Sequence, residues 1–429
     1  MIFLVVFLAF YLAWNLGAND VANSMGTSVG SKAVTLKQAI IIAGILEFTG
    51  AVLFGRAVSE TLATGITNPS LFASEPKILL LGMVSVLLAC GLWLQIATSF
   101  GLPVSSSHGV VGAIAGFSAV YAGINAVDWS TIGRITIGWI LTPVISGVIA
   151  ALFYSVVKRW ILDQPDPLLQ LREWIPWLST ILLTVFGVIV LPTLTQPVQA
   201  ILTNQLNINL PAHDIPLVVG AIAISALTLY SWRQLALPTS SPLPVNSEGL
   251  GVGLSNPIEQ QLARFQVVSA CFVAFAHGSN DVGNAIAPLA AIVYINRTGS
   301  IPLNDFSIPF WILILGGVGI VAGLAVMGKK VIATIGEGII PLQPSSGFCA
   351  ELATATTILV ASRLGLPVST SHALVGAVVG IGLLQNWQSI SLPTVRSIGL
   401  AWIITIPITA TLGAIIFISL RLLIFGSQI

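Results

Sequence analysis

The sequence predicts an all-α, polytopic membrane protein of about twelve transmembrane or re-entrant helical segments, arranged as two inverted-topology repeats. Three observations predict it. The 429-residue chain is 55% hydrophobic and only 7% charged, against about 25% charged residues in soluble domains. So few charges cannot cover a surface in water, and the bilayer is the solvent that suits the chain. Apolar stretches of spanning length recur from end to end, and two polar words occur twice in the same order.

The apolar segments run over about 2–27, 36–56, 78–99, 104–123, 132–157, 176–196, 216–233, 262–287, 309–328, 346–362, 367–385 and 397–424, near the roughly 20 residues a span requires. Phe100-Gly101-Leu102-Pro103 joins the third to the fourth, and Leu364-Gly365-Leu366-Pro367 joins the tenth to the eleventh. Links this tight make hairpins that either span or re-enter; irregular backbone at membrane depth survives only inside protein or against a wet cavity. A polar loop is expected from Lys158 to Glu173. The stretch from Ser231 to Gln261, rich in Pro, Ser, Asn and Gly, reads as a flexible linker. The chain thus divides into a first repeat over 1–157, connecting helices over 158–233, a polar cytoplasmic linker over 234–261 and a second repeat over 262–429.

Positive charge sets orientation. Sorted by alternate loops, Lys32, Lys37, Lys158, Arg159, Arg172, Arg233, Arg264, Lys329, Lys330 and Arg396 fall on one side, and Arg56, Lys77, Arg134, Arg297, Arg363 and Arg421 on the other. The richer side should be cytoplasmic, which puts both termini outside. The N-terminus has no basic n-region and no cleavage site, so a cleaved signal peptide is not expected. A net charge of +1 gives no electrostatic case for nucleic acid. Cys90, Cys271 and Cys349 lie in apolar stretches at spacings that fit no zinc or redox motif, and read as packing residues.

The first repeated word is Gly17-Ala18-Asn19-Asp20-Val21-Ala22-Asn23, echoed as Gly278-Ser279-Asn280-Asp281-Val282-Gly283-Asn284. The second is Gly101-Leu102-Pro103-Val104-Ser105-Ser106-Ser107-His108, echoed as Gly365-Leu366-Pro367-Val368-Ser369-Thr370-Ser371-His372. A weaker echo links Gly55-Arg56-Ala57-Val58 to Gly328-Lys329-Lys330-Val331. Duplication kept for packing explains an apolar echo, but here the polar residues are what match. Seven segments separate the starts of the repeats, and an odd number inverts one copy. Inverted repeats with interrupted helices meeting near the midplane are a transporter architecture, and alternating access follows from it.

The deep acids are Asp20, Glu47, Asp281 and Glu351, with no Lys or Arg beside them in the spans. A carboxylate at the bilayer centre costs about 2.5–3.5 kcal/mol on insertion scales, so it persists when something binds it. A transported cation is the expected partner; a protonated acid satisfied within the core is the alternative. Asn19, Asp20 and Asn23 are spaced to share a helix face, and Asn280, Asp281 and Asn284 repeat the arrangement. Their oxygens are hard ligands suited to Na⁺ or a proton site. Pro103 and Pro367 are expected in the first turn of a helix. The hydroxyls of Ser105, Ser106, Ser107, Ser369, Thr370 and Ser371 then stand where free backbone N–H groups and the dipole hold a tetrahedral oxyanion, with simple N-capping as the alternative. His108 and His372 end the word. His277, four residues before Asp281, can pair with it or relay a proton; its counterpart is Leu16, so the halves differ there. A phosphate-like dianion among carboxylates needs bound cations to offset repulsion at low dielectric, so obligatory anion–cation coupling is expected.

The segments Trp14–Thr27 and Ala276–Pro288, together with the two Pro-Val-Ser-[Ser/Thr]-Ser-His words, resemble the signatures of the inorganic phosphate transporter family, PiT, over nearly the whole length. The resemblance implies a Na⁺- or H⁺-coupled phosphate symporter with no cofactor beyond the transported ion. By that likeness Asp20, Asn23, Asp281 and Asn284 match positions tied to ion and phosphate handling, with Na⁺ placed at these four and phosphate at Asn23, Asn284 and the hydroxyl words. His277, Glu47 and Glu351 also match positions the family uses. The short linker fits a prokaryotic inner membrane or an organelle, and a homodimer is a candidate assembly. Family members differ in coupling ion and some move sulfate, so a carrier of sulfate or another tetrahedral oxyanion is the alternative, separable by sulfate competition. An intramembrane serine enzyme is disfavoured: Ser107 and His108 are adjacent, and no Gly-x-Ser-x-Gly or His-Glu-x-x-His motif is present. A channel differs from a carrier in lacking saturable uphill uptake.

Overall fold

The computed structural model describes residues 2–206, 211–236, 254, 256–302, 306–328, 331–332 and 338–426. Among these, thirteen α-helices form and no strand longer than the bridge of Thr67 with Val127. They are α1 (Ile2–Gly30), α2 (Leu36–Phe54), α3 (Arg56–Thr64), α4 (Pro76–Ser99), α5 (Ser106–Ala122), α6 (Trp129–Val157), α7 (Pro167–Leu206), α8 (Asp214–Ala236), α9 (Pro257–Thr298), α10 (Phe310–Met327), α11 (Pro344–Arg363), α12 (Thr370–Asn386) and α13 (Leu392–Phe425). Eight are long and apolar enough to cross a membrane: α1, α2, α4, α6, α7, α8, α10 and α13. The 42-residue α9 is long but carries many polar residues. At 17 residues each, α5 and α12 reach about 25 Å at 1.5 Å per residue, short of a hydrocarbon core of about 30 Å.

Several sequence boundaries are corrected. The short α3 was not expected as a separate helix. The loop over Lys158–Glu173 shrinks to a few residues, because a π-turn extends α6 through Leu162 and Pro167 opens α7. The linker also shortens: α8 continues to Ala236, and α9 begins at Pro257, where Asn256 caps Ile258 N and proline fits the first turn. The rest of that linker, and Lys329 and Lys330 of the weak echo, lie outside the described residues. Pro103 and Pro367 are not in a first turn. Each stands in an extended lead-in two residues before the N-cap, which is Ser105 for α5 and Ser369 for α12.

The two hairpin turns are built alike. Gly101 and Gly365 adopt φ of 67° and 65°, a left-handed conformation that glycine takes without a Cβ penalty. Leu102 N donates to Ala97 O and Leu366 N to Ala361 O, both at 3.0 Å, closing the preceding helix with a Schellman-type pattern.

At the centre, α1 and α9 pack against each other, with α10 on α1 and α2 on α9. Their polar middles are buried on every side. Glycine lets these backbones touch: a Cβ on Gly278 would strike the Glu47 carbonyl of α2, and one on Gly17 the Ile320 carbonyl of α10. The α5 hairpin arm packs on α13 and the α12 arm on α6, while α7 and α8 pair at the periphery with many exposed apolar side chains.

Candidate functional site

The site grows from the two repeated words. On α1, Asn19 donates Nδ2–H to Thr98 Oγ1 and to Leu102 O, both at 3.0 Å, tying α1 to the first hairpin turn. On α9, Asn280 does the same toward Ser362 Oγ at 3.0 Å and Leu366 O at 3.3 Å. These asparagines fix where each hairpin lies.

The next contacts cross between the halves. Asn23 Nδ2 donates to Thr370 Oγ1 at 3.2 Å and Ser371 Oγ at 3.0 Å. Asn284 Nδ2 donates to Ser106 Oγ at 3.1 Å and Ser107 Oγ at 3.2 Å. Thr370 Oγ1 in turn donates to Asp281 Oδ2 at 2.8 Å, and Ser107 Oγ to Val368 O at 3.1 Å. The starts of α5 and α12 therefore meet, and each acid–amide cluster lies against a hydroxyl pair. His108 and His372 stand just behind with ring centroids 4.8 Å apart; the Nδ1 of each faces a backbone carbonyl, Trp402 O at 3.2 Å and Trp139 O at 3.0 Å. Since Pro143 has no N–H, the helical partner of Trp139 O is missing, and His372 takes its place.

The named residues divide by what their side chains do. Ser105 and Ser369 are spent as N-caps, accepting from His108 N and His372 N at 3.3 Å. Ser106, Ser107, Thr370 and Ser371 face the clusters. With the amide N–H groups engaged, the buried oxygens Asp20 Oδ2, Asn23 Oδ1, Asn280 Oδ1 and Asn284 Oδ1 have no hydrogen-bond partner. Buried acceptors without donors are costly, and an oxygen-rich set of this kind is chemically matched to a hard cation such as Na⁺. Asp20, His277 and Asp281 each bring a ligand atom within 4.8 Å of the others.

His277 joins the two acids of its side. Its Nε2 lies 2.9 Å from Asp281 Oδ2 and its Nδ1 3.2 Å from Glu47 Oε2; Ser24 Oγ donates to Glu47 Oε1 at 2.7 Å. The spacing of four pairs His277 with Asp281, and nothing along the chain adds Glu47. The corresponding pair at the other cluster is Leu16 and Ile320, since Gly17 meets Ile320 as Gly278 meets Glu47. Only one cluster therefore carries an imidazole–carboxylate chain behind it.

Glu351 is not brought to these acids. It sits in a separate cradle. Thr27 and Ser28 donate to its Oε1 at 2.7 and 2.6 Å, Gln266 Nε2 to Oε1 at 3.1 Å and Ser269 to Oε2 at 2.8 Å. Aligned through the two words, the residues corresponding to Glu351, Gln266 and Ser269 are Leu87, Val5 and Leu8, all core. Sequence reading missed this cradle; the signal in reach was the hydroxyl pair Thr27-Ser28 continuing the first acid–amide word. It also missed Glu259, buried at the start of α9, which accepts from Ser345 N and Ser345 Oγ at 2.8 Å and so caps α11.

Long apolar helices around a buried, two-fold repeated polar centre define an integral membrane transporter. The chain belongs to the phosphate transporter family, whose family model matches residues 16–413. It is 40% identical over 391 residues to a protein described as a phosphate permease from Haemophilus influenzae, covering 91% of this chain and 90% of that one. It is 39% identical to the chloroplastic inorganic phosphate transporter 2-1 of Arabidopsis thaliana, over 90% of this chain and 66% of that protein. A solved structure titled the sodium-dependent phosphate transporter superposes with a TM-score of 0.84 at 34% identity, over 99% of both chains.

Proposed function

We propose that this chain is a symporter of inorganic phosphate, coupled to Na⁺ or H⁺ and working by alternating access between two inverted repeats. The observation that carries the reading is the crossed arrangement in which Asn23 reaches Thr370 and Ser371 while Asn284 reaches Ser106 and Ser107. Each amide thereby stands between a carboxylate and a hydroxyl-bearing helix start. The hydroxyls and the backbone N–H groups of α5 and α12 take the phosphate oxygens. The carboxylates of Asp20 and Asp281 and the amide oxygens of Asn19, Asn23, Asn280 and Asn284 take the cations, with Na⁺ centred on Asp20, Asn23, Asp281 and Asn284. His277 relays charge or a proton to Glu47, and Glu351 serves a second cation-coupling position.

Phosphate and carboxylates repel strongly at low dielectric, so anion and cation enter as a neutralised set and move together. The sodium-dependent structural relative favours Na⁺ as the ion. By the charge count the termini face outward, in a prokaryotic inner membrane, with 158–233 connecting the repeats and a homodimer as the assembly.

The test is phosphate uptake into proteoliposomes under separately imposed Na⁺ and proton gradients. Uptake should be uphill, saturable and driven by one of the two. Uptake unchanged when both gradients are collapsed refutes coupling, and equal displacement of phosphate by sulfate refutes phosphate selectivity.

A further inference from the structure

Beside the second acid–amide cluster is a cavity of about 240 Å³ between α2, α3, α7, α9 and α11. Its polar lining includes Ser279 and Ser362, and Ser362 Oγ accepts from Asn280 Nδ2 at 3.0 Å. The cavity is therefore one hydrogen bond from the residue next to Asp281. Leu359 supplies apolar wall, while Arg56, Glu60 and Arg363 add charge to the lining.

The three charges do not cancel. Arg56 Nε is 2.7 Å from Glu60 Oε1, so those two offset each other. Arg363, the last residue of α11, is exposed and makes no hydrogen bond or ion pair among the described residues. One uncompensated positive charge remains beside a recess whose mainly apolar wall carries a few hydroxyls. Aligned through the repeated words, the counterparts of Arg363 and Ser279 are Ser99 and Ala18, so the other half lacks both the charge and the hydroxyl. Arg56 and Arg363 belong to the side that the Lys and Arg count places outside.

We propose that this cavity is an outer station for a tetrahedral oxyanion, where Arg363 raises the local concentration of phosphate beside Asn280 before it enters the central site. The proposal rests on the reading of the chain as a phosphate carrier, and adds to it an anion-capturing residue outside the buried site. A cation at the mouth of a low-dielectric cleft focuses its field and speeds capture of anions. The effect reaches about 8 Å at physiological salt and farther at low salt. The same guanidinium can hold the phosphate of a lipid headgroup, so vesicle composition has to be varied.

The experiment uses the full chain in proteoliposomes with an imposed Na⁺ gradient and measures initial phosphate uptake against phosphate concentration and ionic strength. R363Q should raise KM for phosphate about three- to ten-fold at low salt, leave kcat and the Na⁺ dependence in place, and flatten the salt dependence of kcat/KM. R363K should restore all three. E60Q, which releases Arg56, should lower KM. An R363Q variant with wild-type KM and salt slope overturns the proposal while leaving the transport reading intact. So does an R363Q defect seen in vesicles containing phosphatidylglycerol but absent in pure phosphatidylcholine, which assigns Arg363 to a lipid. Wild-type vesicles that take up no phosphate under any gradient overturn the transport reading, and this proposal with it.

Discussion

Replacing His277 by Leu and Glu47 by Ile, singly and together, gives this cluster the residues that stand at the corresponding places beside the other one, Leu16 and Ile320. The energetics follow from the contacts. His277 meets Asp281 Oδ2 at 2.9 Å and Glu47 Oε2 at 3.2 Å, with imidazole and Glu47 fully buried. Removing one member of a buried pair costs about 3–5 kcal/mol because its partner stays buried and unmatched. H277L leaves Glu47 with the Ser24 hydroxyl as its remaining donor. E47I leaves the Nδ1 side of the ring facing a methyl group. Each single variant should therefore lose about 3–5 kcal/mol. The double variant removes both ends of the Glu47 contact and keeps Thr370 on Asp281. It should be more stable than the sum of the singles predicts by about 1–3 kcal/mol, the coupling expected of residues in direct contact. Unfolding of the purified protein in an SDS titration, followed by emission from the 11 tryptophans, measures the cycle. Effects that add to within about 0.5 kcal/mol would refute the pairing of His277 with Glu47.

Other expectations concern the clusters and one exposed cap. Asp20→Asn and Asp281→Asn should each abolish gradient-driven uptake while membrane insertion, read by expression and protease protection, holds or improves, because a deep charge is removed; full uptake in either variant places the cation elsewhere. Ser106→Ala/Ser107→Ala combined with Asn284→Ala should cost little more in folding stability than Asn284→Ala alone, since both changes cut the same two contacts; additive losses in the same SDS titration contradict the crossed pairing. Asp128 caps α6 by accepting from Ser130 N and Thr131 N at 3.0 Å, and the Thr131 N–H foremost holds its carboxyl below the ordinary 3.8. A carboxyl lowered on folding stabilises above its unfolded pKa and loses that contribution as pH falls through the lower folded value. Asp128→Ala should thus cost about 1 kcal/mol at neutral pH, and the gap to wild type should close as pH falls through the lowered folded value, read as unfolding midpoints; a gap that persists in acid removes the cap from the explanation.

Much of the molecule is legible in one dimension. Apolar length and scarce charge declare the bilayer. Asn19-Asp20 and Asn280-Asp281 stand out because a carboxylate without a nearby base is expensive in a span, and the duplicated Pro-Val-Ser words mark helix starts through local chemistry that needs no partner. Helix ends were harder. Pro103 sits before its helix because Ser105 offers a better cap, a competition between neighbours that composition does not rank. Glu351 and Glu47 were visible as deep acids, yet nothing in their surroundings separates the cradle of Thr27, Ser28, Gln266 and Ser269 from the chain through His277 to Asp281.

Residue order alone specifies the solvent, the helical class, the repeat and the residue types that carry charge inward. Which residues meet is a matter of packing. Asn23 lies 347 positions from Thr370 and Asn284 178 from Ser106, distances at which chain order carries no geometric information. Those pairs exist because glycines on α1 and α9 let neighbouring backbones approach to contact, which fixes the depth and rotation of each helix to within the reach of a hydrogen bond. Partner choice is set by that packing, a property of many side chains at once, whereas the cost of a buried charge belongs to one residue and can be read where it stands.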